Sequence, residues 1–139
     1  SDLYDPSLPN ASGDADQMLQ VFQNILKNAC EAISKDRGKI KVCTSYNSGV
    51  RYTISGDQSE ILPLQIEIID NGSGIPDNII NEIFEPFVSS KVNGTGLGLA
   101  FVSKIITSHG GLIECTSHNS GTKFILRLPV SKKSSKDKI

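Results

Sequence analysis

The chain of 139 residues predicts a two-layer α/β sandwich, one sheet with its helices on one face. Three observations lead there. Two long segments carry apolar residues at helical spacing, strand-like segments of period two lie between and after them, and the last two strands are joined closely enough to form a hairpin.

The first helix is predicted over residues 15–34. Asp14 is a suitable N-cap, and Met18, Phe22, Ile25, Leu26, Ala29 and Ile33 recur at helical spacing. At about 100° per residue, Gln17, Gln20, Asn24, Lys27, Asn28 and Glu31 gather on the opposite face. Gly38 closes the helical region. Residues 39–46 alternate as a half-buried strand does, with Ile40 and Val42 expected inward and Lys39 and Lys41 outward. Residues 47–63 are less regular, but 50–54 can extend a hairpin that turns at Gly56-Asp57. Residues 64–69 form a second clear strand, with Leu64, Ile66 and Ile68 on one face.

After a turn at 70–74, a short helix is expected over 77–83, followed by an irregular stretch over 85–94. A second long helix is predicted over 97–108 and stopped by Gly110-Gly111. Strands 112–117 and 122–128, joined by a turn at 119–121, complete a sheet expected to be mixed but mostly antiparallel. Residues 131–139 contain four lysines and no apolar residue before Ile139, the composition of a disordered basic tail. One domain over 1–130 and a tail over 131–139 is the expected organisation.

With a net charge of -1 and a sequence pI of about 6.1, the chain has no global attraction for nucleic acid or an anionic membrane, so any phosphate affinity must be local. No stretch approaches the roughly 20 apolar residues of a membrane helix, and residues 1–9 lack the basic start and apolar run of a signal peptide. A cytoplasmic location is expected. Cys30, Cys43 and Cys115 are odd in number and far apart, so buried reduced thiols are expected rather than a disulfide framework or a zinc site. The opening residues lack an initiator methionine and read as part of a longer protein.

Two glycine clusters, Gly72-Ser73-Gly74 and Gly94-Thr95-Gly96-Leu97-Gly98, fit neither the dinucleotide-binding spacing nor a glycine-lysine-serine/threonine phosphate loop. The second precedes a predicted helix, where unpaired N–H groups and the helix dipole favour a phosphate oxygen; a plain capping turn is the alternative. Asp70 ends an apolar strand, where its carboxylate can accept from an adenine amino group or simply bond its own turn. Asn24 and Asn28 lie four apart on the polar helix face, ordinary surface residues unless an amide oxygen serves as one neutral ligand of Mg2+.

In order, Asn24-Ile25-Leu26-Lys27-Asn28-Ala29, Asp70-Asn71-Gly72-Ser73-Gly74-Ile75, Ile83-Phe84-Glu85-Pro86-Phe87 and Gly94-Thr95-Gly96-Leu97-Gly98-Leu99 resemble the four ATP-site boxes of histidine kinases. With Gly121-Thr122-Lys123-Phe124, the likeness spans residues 14–129. Tyr4-Asp5-Pro6-Ser7-Leu8-Pro9, Gly13-Asp14 with Asp16-Gln17, and Pro86-Phe87-Val88-Ser89-Ser90-Lys91 further resemble the nitrogen-regulation sensor kinases, as does an insertion around Gly49-Val50-Arg51-Tyr52.

The resemblance implies the Bergerat-type sandwich, with ATP and Mg2+ between the first helix and a mobile lid. Asn28 would coordinate Mg2+, Asp70 would bind the adenine amino group, and Thr122 would contribute near the base. Gly94, Gly96 and Gly98 would hinge the lid, Phe84 and Phe87 would anchor its other end, and Lys91 would meet the terminal phosphate. Asn24, Gly72, Gly74, Ile75, Thr95, Leu97 and Leu99 belong to the same boxes. Hydrolytic members of the wider superfamily resemble this pattern but carry a glutamate where Asn24 stands, and an amide is no general base. Transfer to a histidine of a separate phosphoacceptor domain is therefore implied, with a response regulator and a PII-type signalling protein as further partners. The alternatives are a nucleotide-dependent docking module without transfer activity, or a serine kinase of the anti-sigma type. His109 and His118 read as structural, so the acceptor must come from another segment.

Overall fold

A computed structural model describes residues 15–88, 98–118 and 120–130. Helix α1 spans Ala15–Ala32 and α2 spans Gly98–Ser108; the strands are β1 Ile40–Tyr46, β2 Arg51–Ser55, β3 Gln58–Ile61, β4 Leu64–Asp70, β5 Leu112–His118 and β6 Gly121–Leu128. Four strands make one sheet in the order β1-β4-β6-β5, and β2-β3 form a separate hairpin. Every described ladder is antiparallel.

Register assigns the faces. Leu64, Ile66, Ile68 and Asp70 of β4 stand opposite Leu128, Leu126, Phe124 and Thr122 of β6, and these in turn face Ile113, Cys115 and Ser117 of β5 where paired. This inner face receives the helices: α1 and α2 pack on each other, α1 on β4 and α2 on β5. Val21, Ile25 and Ala29 of α1 recur every four residues and are buried, as are Val102, Ile105 and Ile106 of α2. Ile25, Ile68, Ile106 and Leu126 are each at most 1% exposed, and burying such a side chain stabilises by about 1.5–3 kcal/mol.

The expected inward packing of β1 holds at Ile40, which packs against the core, but not at Val42, which faces inward opposite Ile68 yet remains 39% exposed. The outer face is partly covered by the β2–β3 hairpin, turned at Gly56-Asp57 as expected. The Tyr52 ring lies 4.7 Å from the Arg127 guanidinium on β6, and Arg127 also pairs with Glu114 on β5.

Three expectations are corrected in detail. The helix expected over 77–83 is a single 3-10 turn, Ile80–Glu82, because the Pro76 carbonyl receives both the Ile79 and Ile80 N–H groups and the chain turns too tightly to continue. Helix α1 stops at Ala32 rather than residue 34. The thiols are free, but Cys30 is exposed and Cys43 and Cys115 only half-buried; Cys30 follows buried Ala29, and one helical step carries it to the solvent side. Helix α2 ends as predicted, with Gly111 N–H on Ile106 O at 2.9 Å and Gly110 N–H on Thr107 O at 3.0 Å. His109 Nδ1 lies 2.7 Å from Ile105 O, a structural capping contact. Among the described residues, no helix is long and apolar enough to cross a membrane.

Candidate functional site

Asn24, Asn28 and Ala32 recur every four residues along α1 and so stack on one side of the helix. Both ends of this row are in contact with other predicted site residues. At one end, Asn24 Oδ1 lies 3.0 Å from the position a Cβ on Gly98 would take, at the first residue of α2. The Asn24 amide nitrogen donates to Gln20 O at 2.9 Å, leaving the carbonyl oxygen toward Gly98. At the other end, Ser73 N–H donates to Ala32 O at 3.3 Å. Gly72 packs there so closely that a Cβ would overlap the same oxygen. The two contacts stand about 12 Å apart along the helix axis, with half-buried Asn28 midway.

Asp70 closes β4 beside the Ala32 end of this row. It is 6% exposed, and its cross-strand neighbour Thr122 is 5% exposed. Asp70 Oδ1 accepts from Gly72 N–H at 2.8 Å. The turn-bonding role considered for Asp70 is thus real, and a carboxylate still has a second oxygen to offer a ligand. Gly121 has φ 147°, and a Cβ there would overlap the Asp70 carbonyl oxygen. Only glycine lets β6 begin so close to the end of β4, which brings Thr122 beside Asp70.

Phe84 is half-buried, edge-on to Phe124 with ring centroids 6.3 Å apart and planes at 70°. Phe87 does not pack in the same way: it is 79% exposed at φ 69°, so the left-handed backbone there accompanies an outward ring. Ile75 and Leu99 pack against the core. Gly74 takes φ 80° in the turn. Lys91, Gly94, Thr95, Gly96 and Leu97 lie outside the described residues.

Two hydrogen-bonding roles in this region, those of Asn71 and Ser117, carry no signal in the sequence. Asn71 Oδ1 accepts from Lys39 N–H at 2.7 Å while its Nδ2 donates to Arg37 O at 2.8 Å, clamping the segment after α1 to the end of β4. Ser117 accepts from Ile75 N–H at 2.6 Å. Both bonds join residues far apart in the chain, where no local period could reveal them.

Cys115 lies on the inner face opposite Phe124. Burial, and then the negative charge of Asp70, push its thiol from 9.0 up to about 12. The folded value lies above the unfolded one, so the stabilising contribution is complete below pH 9.0 and is lost as pH rises toward about 12. Cys30 is therefore expected to react with a thiolate-directed alkylating reagent at pH 8 well before Cys115, which should become reactive on unfolding. Mass mapping that found both labelled equally in the native chain would contradict this placement.

The arrangement is that of a nucleotide-binding ATPase domain: a buried carboxylate beside a glycine turn, an amide-bearing helix face, and Gly98 opening a second helix. Residues 13–132 match the family of histidine kinase-, DNA gyrase B-, and HSP90-like ATPases, and the chain belongs to that family. Within it, the chain is similar to the sensory histidine kinase/phosphatase NtrB of Rhodobacter capsulatus, 53% identical over 130 residues that cover 94% of this chain and 36% of that protein. NtrB of Rhizobium leguminosarum is 46% identical over 137 residues, covering 97% of this chain and 36% of the relative. The chain thus spans about a third of the length of the curated relatives it matches. The histidine kinase ShkA, solved full-length in complex with AMPPNP, superimposes with a TM-score of 0.69 at 26% identity over 89% of this chain and 24% of that one.

Proposed function

We propose that this chain binds Mg-ATP and donates its γ-phosphoryl group to a histidine of a separate dimerisation and phosphoacceptor domain, in nitrogen-regulatory two-component signalling. The observation that carries the reading is the row on α1, whose ends meet the Asp70 turn and the start of α2 with Asn28 between. An adenine ribonucleoside triphosphate laid along this row has its base at Asp70 and Thr122 and its phosphates toward Gly98. The AMPPNP complex of the similar kinase ShkA supports a nucleotide of this kind, and the name of the NtrB relatives supports the signalling role.

Asp70 accepts from the adenine amino group through the oxygen not committed to Gly72, and Thr122 supplies a hydroxyl at the same end. Asn24 keeps its NH2 on its own helix and presents no base to water, which favours transfer over hydrolysis. Among the described residues, no three His, Cys, Asp or Glu side chains cluster to hold a metal. The amide oxygen of Asn28, on the half-buried helix face, would be one neutral ligand of a cation arriving with the phosphates. When bound, Mg2+ would neutralise phosphate charge. The phosphoacceptor imidazole attacks the γ-phosphorus with its neutral nitrogen, the bond to the β–γ bridging oxygen breaks, and ADP leaves. Lys91 and the glycines of residues 94–98 are assigned to the phosphates on the pattern of their box. The phosphoryl group then passes to a response regulator, with a PII-type protein as the regulatory partner.

Calorimetric titration of the chain with Mg-ATP, followed by incubation with a supplied phosphoacceptor domain and labelled ATP, tests this reading. Binding, no acid-labile phosphate on the chain alone, and labelling of the added domain are expected. Binding without labelling would leave a docking module, and steady turnover without an acceptor would identify a hydrolase.

A further inference from the structure

We propose that Ser117 is a positioning residue for the nucleotide base, a role that rests on the ATP-binding reading and adds a specific residue to it. Ser117, Thr122 and Asp70 form one row across β5, β6 and β4 on the inner face. The Ser117 hydroxyl accepts from Ile75 N–H at 2.6 Å, lies 3.3 Å from Gly121 O, and lies 3.3 Å from Thr122 Oγ1. One short side chain therefore joins the exit of the Asp70 turn to the first two residues of β6.

The hydroxyl has one proton and two lone pairs. One lone pair is taken by Ile75 N–H. Donation of the proton to Gly121 O leaves the other lone pair for Thr122, whereas donation to Thr122 Oγ1 frees the Thr122 proton for a ligand. Ser117 thus sets both the position of the Gly74–Ile75 backbone and the hydrogen-bonding role of Thr122, the residue assigned to the adenine end of the site. Asp70 bonds the near end of its turn through Gly72 N–H, and Ser117 bonds the far end through Ile75 N–H. Half-buried Ser117 can lose its hydroxyl without leaving a large cavity.

The test compares Ser117→Ala and Ser117→Thr in the full chain. Amide exchange is read at Ile75 without nucleotide, affinity for ATP, ADP and GTP by calorimetry, and melting by circular dichroism. Loss of one net hydrogen bond predicts that S117A weakens ATP and ADP by a common factor of about five to ten. It should also accelerate exchange at Ile75, narrow the preference for ATP over GTP, and leave the Mg2+ dependence unchanged. S117T, which keeps the hydroxyl, should restore ATP affinity and selectivity. S117A that binds like the parent chain, or S117T that fails as badly as S117A, would overturn the assignment. So would a fall in melting temperature with equal losses for ATP and GTP, the signature of a structural stitch alone. A parent chain that bound no ATP would defeat the ATP-binding reading and this proposal together; a parent that binds while S117A is unaltered defeats only the role of Ser117.

Discussion

Asn28→Ala is expected to reduce binding of Mg-ATP to the level measured in EDTA, and to lower phosphoryl transfer to an added acceptor domain by about 10²–10³-fold, the scale for loss of one electrostatic partner of the transition state. Asn28 stands midway between the Gly98 contact of Asn24 and the turn contact of Ala32. Alanine is the better helix former, and circular dichroism should check that the variant keeps its fold. Asn28→Asp keeps an oxygen ligand and should recover part of the Mg2+ dependence. The measurement is ATP affinity as a function of Mg2+ concentration for the parent and both variants. Unchanged Mg-dependent affinity in N28A would remove Asn28 from the metal.

Asp70→Asn is expected to weaken ATP by about 10- to 100-fold, the cost of roughly 1–3 kcal/mol for a buried polar group left mismatched. If the asparagine oxygen keeps the Gly72 N–H, its NH2 replaces the remaining carboxylate oxygen, and a donor then faces the adenine amino donor. The same NH2 suits the guanine carbonyl, so GTP should lose less than ATP. Calorimetry with both nucleotides decides: an unchanged ATP-to-GTP preference would mean that Asp70 serves its turn alone. Because Asp70 is almost fully buried beside Thr122, circular dichroism should confirm that the variant keeps its fold.

Local periodicity was sufficient for the elements that bury a continuous stripe. The three-four spacing of Met18, Phe22, Ile25 and Ala29 and the alternation of Leu64, Ile66 and Ile68 describe how a helix and a strand bury one face, and that physics acts within a few residues. The Gly56-Asp57 turn and the glycine pair after α2 were legible for the same reason. The four boxes and the Gly121–Phe124 segment were legible as a family pattern, which named Asp70, Asn28 and Thr122 but said nothing of how they are placed in space.

What the sequence by itself determined is therefore the succession of elements, their apolar faces, and membership in a family of ATPases. The tertiary structure alone decided that β4 lies between β1 and β6, that Val42 stays uncovered, and that Phe87 points outward while Phe84 packs on Phe124. It also decided that Gly72 is required by the carbonyl of Ala32, that Gly121 is required by the carbonyl of Asp70, and that Ser117 holds Ile75. Each of these depends on close approach between segments distant in sequence, where steric overlap and hydrogen-bond direction act over a few ångströms of space and leave no trace in the spacing of neighbouring residues.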